Sequence, residues 1–509
     1  MNNTICILKR YTRSTQDSYL MIAFSKKIFI LGCGSIAQCS LPLILKHIDI
    51  KPSHITVMDC LDNSGRISEE LKRGVRYVQQ RITKNNFQEI LSQHMGEGDL
   101  FIDLSFGVSS LAMIEWCHNT RCLYLNAAVE LWEDDNNLLT TLSEQTLYPR
   151  QMALRQFLGS RSPSGPTAII DHGANPGIVS HLTKQGLADL ASYFLQKKPN
   201  DPRANDIRTA LEKEQFPNLS YLLGVKTIHI SEKDTQISNV PKDINEFVNT
   251  WSVPGFIEEG IAPAEMGWGT HEKVLPPGGM EHEDGPRNQI YLSQKGINTW
   301  VQSWVPSGPI FGMVIRHGEA FTISDYLTVQ KNGNVTYRPT VHYAYRPCDE
   351  AIHSLHELEM RSFRAQNKQR ILNDEIVSGQ DELGCLLMGH DFGSWWIGSI
   401  LDFNEASDLV PRQNATTVQV TSGILAAIVY MIKNPNQGLC QPEDLPYKKI
   451  LEVAAPYLGK LISQPIDWSP MLYSKEIPES KKIPSEEDMW QFTTFQLPSQ
   501  SKILPTSII

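Results

Sequence analysis

A tryptophan and two adjacent glutamates flank a Pro-Gly turn in the segment TWSVPGFIEEG, residues 250–260. The face of an indole ring attracts a cation, and a nearby carboxylate adds a full negative charge. Trp251 with Glu258 or Glu259 could therefore hold an ammonium group. Trp251 could equally be a core residue, and both glutamates could equally face water. The segment alone leaves these interpretations open, and it leaves open which glutamate turns inward.

A histidine and a glutamate two positions apart, His317 and Glu319 in RHGEAF, are suited to moving protons. Histidine titrates near neutral pH, and a neighbouring carboxylate tunes it. If the segment is a strand, the two side chains share one face and can cooperate. A structural histidine with satisfied nitrogens is the alternative. The surrounding loops add Glu265, Trp268 and Glu272, an acidic and aromatic setting that suits a cationic ligand.

The loop GCGSIA, residues 32–37, has the GxGxxA form of a dinucleotide-binding turn. It follows the apolar run KKIFILG, opens a helical pattern, and precedes Asp59 at the end of the next strand-like run. Gly32 permits the tight turn, and Gly34 lets the backbone approach a pyrophosphate at the helix N-terminus. Asp59 would accept hydrogen bonds from ribose hydroxyls and repel a 2′-phosphate, so we expect NAD as the cofactor. A structural turn without nucleotide is the alternative. The predicted cofactor-binding residues are Gly32, Gly34, Ser35, Ile36, Asp59, Asp103, Ser105 and Ala127.

Strand-like and helix-like segments alternate up to about residue 174, which predicts an α/β fold with a Rossmann-type, doubly wound parallel sheet. Strand-like runs separated by Gly/Pro loops then predict an α+β catalytic domain with a mixed or antiparallel sheet. We expect a flexible extension over residues 1–25, a NAD-binding domain over 26–174 and a substrate domain over 175–383. Part of 384–465 would complete the first domain, and 466–509 would form an extended surface tail. A long helix is predicted from about Cys348 to Asn373, with its basic run on a solvated face.

Charge and cysteine usage exclude several classes of protein. The net charge of −10 argues against a nucleic-acid partner, which usually requires a basic surface. The nine cysteines are scattered without a CxxC pair, as expected of reduced thiols in a cytoplasmic protein. The longest apolar run, GILAAIVYMI, is too short to cross a bilayer, so we expect no membrane partner. The segment HSLHELE is neither HExxH nor HxxEH, and no metal site is predicted.

Four longer stretches resemble bacterial homospermidine synthases, which have a saccharopine-dehydrogenase-like architecture. These stretches are DHGANPGIVSHL, WSVPGFIEEGIAPAEMGWGTHE, RHGEAFTISDYL and YRPTVHYAYRPCDEA, within a resemblance that spans about residues 26–457. The resemblance implies a homodimer that converts two putrescines into homospermidine and ammonia. It also implies imine intermediates and a NAD that takes up a hydride and returns it. Related diamines could enter by the same chemistry, and the N-terminal extension departs from the family pattern.

The resemblance also implies roles for particular residues. Trp251 and Glu259 resemble the residues that hold the substrate cation, and His317 and Glu319 resemble the proton-moving pair nearest the nicotinamide. Four further residues resemble substrate-binding positions: Glu232 at the deep end of the pocket, Asn175 and Glu130 near the nicotinamide and the inner amine, and Asp381 at the outer end. Asn175 is also expected to contact the cofactor.

Two other functions compete with this interpretation. A saccharopine- or opine-type dehydrogenase binds substrates with carboxylates, so its pocket should contain free arginines. The loops here are acidic instead, with Arg316, Arg338 and Arg346 as the main exceptions. A non-catalytic NAD-sensing protein would need the glycine loop but no acidic and aromatic cluster.

Overall fold

The computed structural model describes residues 21–159, 164–472, 485 and 487–497. Up to residue 169, helices and short strands alternate along the chain. The elements in this part are β1 (Ile22–Ala23), β2 (Ile28–Leu31), α1 (Ser35–His47), β3 (Ile48–Asp49), β4 (Ile55–Asp59), α2 (Ser68–Lys72), β5 (Arg76–Gln79), α3 (Phe87–His94), β6 (Leu100–Asp103), α4 (Ser110–Thr120), β7 (Leu123–Asn126), α5 (Glu133–Asn136), α6 (Tyr148–Gly159) and β8 (Ala168–Ile169).

Longer strands dominate the remainder of the chain, and most helices there follow or precede a strand of the second sheet. The elements are α7 (Ile178–Lys197), α8 (Ala204–Glu212), α9 (Phe216–Leu223), β9 (Thr227–Asp234), β10 (Ile237–Ser238), β11 (Glu246–Asn249), α10 (Val253–Ile261), β12 (Pro263–Gly267), β13 (Gly279–Glu281), β14 (Gln289–Lys295), β15 (Trp300–Val305), β16 (Gly308–Met313), α11 (Gly318–Tyr326), β17 (Val329–Lys331), β18 (Asn334–Tyr337), β19 (Thr340–Arg346), α12 (Asp349–Met360), β20 (Lys368–Ile371), β21 (Ile376–Ser378), β22 (Gln380–His390), β23 (Gly393–Asp402), α13 (Phe403–Leu409), α14 (Ala415–Lys433), β24 (Leu439–Cys440), α15 (Tyr447–Ala454), β25 (Lys460–Ile466) and α16 (Phe492–Phe495).

The first sheet is parallel and has the order β24–β8–β7–β6–β2–β4–β5. Its interior strand β2 reads IFIL and is buried on both faces, as a parallel strand covered by helices should be. The strand order reverses beside β2, so a crevice opens where the carboxyl ends of β2 and β6 diverge. The predicted Rossmann-type sheet is confirmed.

The second sheet is mixed and follows the path β13–β14–β12–β19–β9–β22–β23–β25, with β16 and β15 attached beside β19. Strands β19 and β9 are parallel, whereas the pairs β9–β22, β22–β23 and β23–β25 are antiparallel. This confirms the predicted mixed sheet of an α+β unit. Helices α7 and α14 lie between the two sheets and pack on β22 and β23. Because α14 also packs on α1 and β7, most of its residues are buried, including its apolar run over residues 424–429.

The segment 384–465 divides between the two sheets. Helix α14 and strand β24 join the first sheet, while β22, β23 and β25 belong to the second. The prediction was that part of this segment completes the first domain, and the strands of the second sheet are the part that does not. Antiparallel pairing of β22 with β9, of β23 with β22 and of β25 with β23 satisfies their backbone groups.

The predicted helix from Cys348 to Asn373 was wrong beyond Met360. Ser362 and Phe363 both adopt positive φ, a left-handed conformation that terminates an α-helix. The chain then forms β20, which pairs in parallel with β11. Arg370 of the basic run is ion-paired with Glu246 and does not lie on a solvated helix face.

Both ends of the described chain are more ordered than the sequence suggested. In the predicted extension, residues 1–20 lie outside the described residues, but Ile22 and Ala23 form β1 and pair with β3. In the predicted surface tail, Trp490, Phe492 and Phe495 are buried in an apolar cluster against the second sheet. Large aromatic side chains explain this burial, because each removes a large apolar area from water.

Candidate functional site

The glycine turn after β2 is shaped for close approach by a phosphate group. Gly32 has a φ of +92°, and a Cβ there would lie 2.6 Å from the carbonyl oxygen of Leu104. A Cβ at Gly34, by contrast, would meet open space. Gly34 caps helix α1 without any side-chain hydrogen bond, and the first turn carries no acidic residue. The free N–H groups and the positive end of the helix therefore remain available to an anion.

Asp59 lies at the carboxyl end of β4 beside this turn. Its carboxylate accepts hydrogen bonds from the backbone N–H of Cys33 at 2.7 Å and of Leu61 at 2.8 Å. These bonds hold the negative charge at the position where an adenosine ribose would lie. The remaining lone pairs suit ribose hydroxyls and oppose a 2′-phosphate, so the residues present fit NAD. Ser35 and Ile36 form the first turn of α1, with Ser35 buried and Ile36 half-buried.

The carboxyl ends of β6 and β7 lie at the same edge of the sheet as the glycine turn, but they support cofactor binding there less directly. Asp103 turns inward, where Tyr124 donates a hydrogen bond at 3.1 Å and the Ser105 hydroxyl donates another at 2.6 Å. Burial raises the pKa of Asp103 to about 6. Asp103 thus orients Ser105, which stands half-buried at the crevice beside the glycine turn. Ala127 follows β7 and is also half-buried at the same edge.

Trp251 is placed by a helix start and by two aromatic neighbours. Ser252 caps α10 by accepting a hydrogen bond from the Gly255 N–H, so Trp251 stands immediately before the helix. The indole Nε1–H donates to the hydroxyl of Tyr345 at 3.0 Å, and the Phe256 ring lies 5.2 Å away. The partly buried indole is therefore fixed in orientation, as a cation–π contact requires.

Three carboxyl groups lie buried together on one face of the second sheet. Glu232 and Asp234 are two positions apart on β9, and Asp381 of β22 pairs in register with Asp234. Glu232 accepts a hydrogen bond from Asn175 Nδ2 at 2.8 Å and another from the hydroxyl of Tyr343. Burial raises the pKa of Glu232 to about 7 and that of Asp234 to about 6. These carboxyl groups are poised to ionise when a cation arrives.

Asp381, predicted at the outer end of the pocket, is fully buried and pairs across strands with Asp234. The hydroxyl of Thr416 donates to one of its oxygens at 2.5 Å, and the other has no hydrogen-bond partner among the described residues. Burial and the neighbouring charges of Glu232 and Asp234 hold the pKa of Asp381 well above its ordinary value. Cross-strand pairing with β9, invisible in the sequence, draws Asp381 inward.

His317 is the centre of a three-residue acid–base array. Its Nδ1 lies 3.2 Å from Glu319 Oε1, and its Nε2 lies 3.2 Å from Glu259 Oε2. Burial alone would lower the pKa of His317, but Glu319 and Glu259 outweigh it and hold that pKa well above the ordinary value. The expected strand geometry was wrong, because His317 caps α11 and Glu319 lies in its first turn. The helix start brings the two side chains together instead.

Both glutamates of the opening segment turn inward, each to a different partner. Glu258 is ion-paired with Arg150 at 2.9 Å and with Arg316, whereas Glu259 contacts His317. Although burial opposes ionisation, Arg316 and Arg150 lower the pKa of Glu258 to about 2. Glu258 is thus a fixed anion that anchors α10, and Glu259 is the member available for proton transfer.

The arginines that could have bound a substrate carboxylate are already engaged. Arg316 is buried against Glu258, and Arg346 pairs with Asp349 at 2.9 Å. Arg338 donates to the Thr328 hydroxyl and to the Trp268 carbonyl oxygen. The site therefore offers negative charge and hydrogen-bond acceptors, which suit a polyamine better than an amino acid or keto acid.

A small cavity lies between the carboxyl edge of the parallel sheet, the C-terminal half of α10 and the start of α11. Glu130, from the segment after β7, reaches this cavity, and Arg150 lies 3.9 Å from its carboxylate. Burial and the nearby charge of Glu258 raise the pKa of Glu130 to about 8. Glu259, His317 and Asp171 line the same cavity, so the acid–base array is accessible from it.

Not every acidic or aromatic residue in the loops converges on this site. Glu265 is buried beside the Arg316 cluster and accepts a hydrogen bond from the Leu147 N–H. Glu272 and Trp268 lie elsewhere, where Glu272 accepts from Thr340 and Trp268 contacts Phe492. Sequence reasoning missed other members of the site, and only the alternation in YRPTVHYAY gave a signal for the two tyrosines. The missed residues are Asp171, Asp234, Arg150, Tyr343 and Tyr345.

Comparisons with known proteins agree with the fold. The Saccharopine dehydrogenase NADP binding domain family matches residues 28–169, and the Saccharopine dehydrogenase C-terminal domain family matches residues 173–466. A homospermidine synthase of Mesorhizobium japonicum is 38% identical over 91% of this chain and 95% of its own length. One of Blastochloris viridis is 40% identical over 91% of this chain and 96% of its own length.

A solved structure supplies the same assignment. The crystal structure of the homospermidine synthase from Legionella pneumophila in complex with NAD has a TM-score of 0.80 and 36% sequence identity. The match covers 94% of this chain and 99% of that one. The predicted resemblance and the predicted NAD cofactor are confirmed. The chain belongs to the homospermidine synthase family, within the saccharopine-dehydrogenase-like proteins.

Proposed function

We propose that this protein transfers an aminobutyl group between two putrescines, producing homospermidine and ammonia with NAD as an internal hydride carrier. One observation supports this above all. The site combines a fixed indole, buried carboxyl groups and a histidine held between two glutamates, and it adjoins the cofactor edge of a Rossmann-type sheet. A diamine needs such a setting, because one nitrogen must stay cationic while the other loses its proton.

Trp251 and the face of β9 that carries Glu232 and Asp234 bind the substrate cation. A putrescine ammonium can lie against the indole while Glu232, held by Asn175 and Tyr343, supplies the opposite charge. Cation–π contact contributes about 0.5–2 kcal/mol, and more where water is excluded. Glu130 at the cavity can bind the second ammonium of a diamine, since the nearby arginine is shared with Glu258.

Proton transfer falls to His317 with Glu259 and Glu319. When bound, NAD supplies the chemistry of removing a hydride from an amine-bearing carbon and returning it to an imine. The amine must first lose its ammonium proton, and Glu259 faces the cavity in a position to take it. His317, held between two carboxylates, passes protons between Glu259 and Glu319. Imine formation and the loss of ammonia then proceed through an iminium group stabilised by the surrounding carboxylates.

We also propose the localisation, the oligomeric state and the partners of the protein. The protein works in the cytoplasm as a homodimer, on putrescine and related diamines, without nucleic-acid or membrane partners. The acidic balance of the chain and the interior position of α14 support this view. A saccharopine- or opine-type dehydrogenase is the second candidate, but its substrates would need the arginines that Glu258 and Asp349 occupy.

The assay is direct. Purified protein with NAD and putrescine should form homospermidine and ammonia in equal amounts, with no net accumulation of NADH. Matched incubations with an amino acid, a keto acid and NADH should show no turnover. Turnover in the second assay and none in the first would reject the proposal in favour of an opine-type dehydrogenase.

A further inference from the structure

Asp171 is a buried carboxyl group that the proposed mechanism does not yet use. It follows β8 at the carboxyl edge of the parallel sheet, and it lines the cavity together with Glu259 and His317. Its backbone has a φ of +53°, a conformation that Asp, Asn and Gly adopt more readily than other residues. The chain therefore accepts an uncommon backbone conformation in order to present this carboxyl group.

The contacts of Asp171 hold it in place without neutralising it. Gln151 Nε2 donates to its Oδ2 at 3.0 Å, and its own N–H donates to Asn126 Oδ1 at 2.9 Å. Gly318, the first residue of α11, lies so close that a Cβ there would stand 2.8 Å from Asp171 Oδ2. Within the described part of the chain no lysine or arginine is paired with Asp171. Burial and then the charge of Glu319 raise its pKa to about 7.

The proposed reaction requires storage for two protons. Each putrescine enters with its reacting nitrogen as an ammonium, and both nitrogens must be deprotonated. The first loses its proton before hydride leaves its carbon, and the second loses its proton before its lone pair attacks the resulting iminium. Ammonia then departs and takes one proton to become ammonium. The second proton returns to the new secondary amine after hydride returns to its carbon, so protons and electrons balance.

The array around His317 accounts for one stored proton. His317 lies between Glu259 and Glu319 and is already protonated at rest because these carboxylates hold its pKa high, so Glu259, which faces the cavity, accepts the proton of the first amine. A second acceptor with a pKa near neutrality must therefore reach the same cavity. Asp171 meets the geometric requirement, and among the described residues no lysine or arginine pairs with it to prevent its protonation.

Resting on the proposed function, we infer that Asp171 is the second proton acceptor, which deprotonates the incoming amine and later protonates a product nitrogen. Glu319 of α11 and Glu443 of the segment before α15 act on its charge, and the charged groups around the cavity are Glu130, Arg150, Glu258, Glu259, Arg316 and His317. In this scheme the first amine gives its proton to the His317 array through Glu259, and the second gives its proton to Asp171.

Asp171→Asn tests this division between the two half-reactions. Asparagine keeps the shape, tolerates the positive φ and still accepts from Gln151, but it cannot take a proton. In stopped-flow experiments with NAD and putrescine, the rise in NADH absorbance should stay within about threefold of wild type. Homospermidine formation should fall by about 10²-fold or more, so that NADH persists. The rise of product formation with pH near 7 should also disappear.

Asp171→Gly supplies a second test, because glycine adopts the same backbone conformation and leaves a space for a small acid. Added formate should restore part of the homospermidine formation in this variant and none in Asp171→Asn. Glu272→Gln is the matched control: it also removes a buried carboxyl group whose pKa burial raises to about 7, but this group lies against Thr340 and Phe492. Its product formation should remain close to that of wild type.

Three outcomes would overturn the inference alone. The first is a wild type that makes homospermidine and an Asp171→Asn variant that makes it equally fast. The second is an Asp171→Asn variant that loses the NADH rise together with product, and the third is an Asp171→Gly variant whose product formation does not respond to formate. Failure of the wild type to make homospermidine would instead overturn the proposed function and this inference with it.

Discussion

The two faces of strands β9 and β19 have opposite electrostatic character, although both are buried. Towards the parallel sheet, Glu232 lies beside Tyr343 and Asp234. On the other face, the rings of His229 and His342 lie with their centroids 4.1 Å apart and their planes tilted by 42°, beneath the C-terminal aromatic segment. One face therefore buries acids and the other buries bases, at alternate positions of the same two strands.

Burial moves these two kinds of group in opposite directions. It raises the pKa of Glu232 to about 7 and lowers that of His342 to about 4, because each charged form is disfavoured away from water. At neutral pH the histidines are uncharged packing groups. The carboxyl groups, in contrast, can still ionise, and an ammonium ligand would favour that ionisation. Glu232 therefore stays responsive to a bound cation, whereas His229 and His342 do not.

Removing one carboxylate from the site face should have the largest effect. We expect Glu232→Gln to lower kcat/KM by about 10²–10³-fold, because a bound ammonium loses its buried counter-charge. His229→Gln, on the opposite face, should leave kcat/KM within about twofold and lower the free energy of unfolding by about 1–3 kcal/mol. Steady-state kinetics and urea unfolding on both variants measure this contrast. Similar losses of activity in the two variants would break the distinction between the faces.

Trp251 should show a graded effect. Trp251→Ala removes both the cation–π surface and the bond to Tyr345, so kcat/KM should fall by about 10²-fold. Trp251→Phe keeps a weaker aromatic face, and a loss of about 3- to 10-fold is expected. Equal, near-native rates for both variants would remove the indole from the mechanism.

Binding of putrescine should strengthen with rising pH up to about 7. Ammonium binding favours the ionised form of Glu232, so protonation of that carboxylate competes with the ligand below its pKa of about 7. The Kd should rise by up to about tenfold for each unit of pH below that value, while both putrescine nitrogens stay protonated. Calorimetric titration of the NAD complex measures it, with Glu232→Gln as the control. The same slope in that variant would assign the titration to another group.

The two faces should also have opposite effects on the pH dependence of the free energy of unfolding. This effect is the smallest of those expected here. His342 has a folded pKa below its unfolded value, so its contribution is lost as pH falls from about 6.5 towards 4. Glu232 has a folded pKa above its unfolded value, so its contribution is lost as pH rises from about 4.5 towards 7. The free energy of unfolding of Glu232→Gln minus that of wild type should be larger at pH 8 than at pH 5, by about 1 kcal/mol or more. Urea unfolding at the two pH values measures this difference. The same difference between variant and wild type at both pH values would contradict the prediction.

The parts of the molecule that are local in sequence were predictable. The glycine turn, α1 and Asp59 lie within one strand–helix–strand unit, and their spacing predicted both the Rossmann-type sheet and NAD. Long motifs carried the family assignment. The individual roles of Trp251, Glu259 and His317 in the reaction stay predictions, although the structure brings Glu259 and His317 into contact.

The parts that depend on distant pairing were not predictable. Asp381 is drawn inward by cross-strand pairing with Asp234, and Glu258 is fixed by Arg150 from a helix more than a hundred residues away. No periodicity reports such contacts. The helix that ends at Met360 shows a second limit: its sequence continues to favour a helix, but the left-handed residues Ser362 and Phe363 redirect the chain into β20.

The most direct test of the central claim follows a labelled hydride. Putrescine deuterated at both amine-bearing carbons is incubated with the protein and unlabelled NAD, and the product is examined by mass spectrometry. If the hydride leaves and returns within one site, homospermidine retains all of the deuterium and no NADH accumulates. Homospermidine that has lost deuterium to the NADH pool, or the absence of homospermidine, would contradict the account.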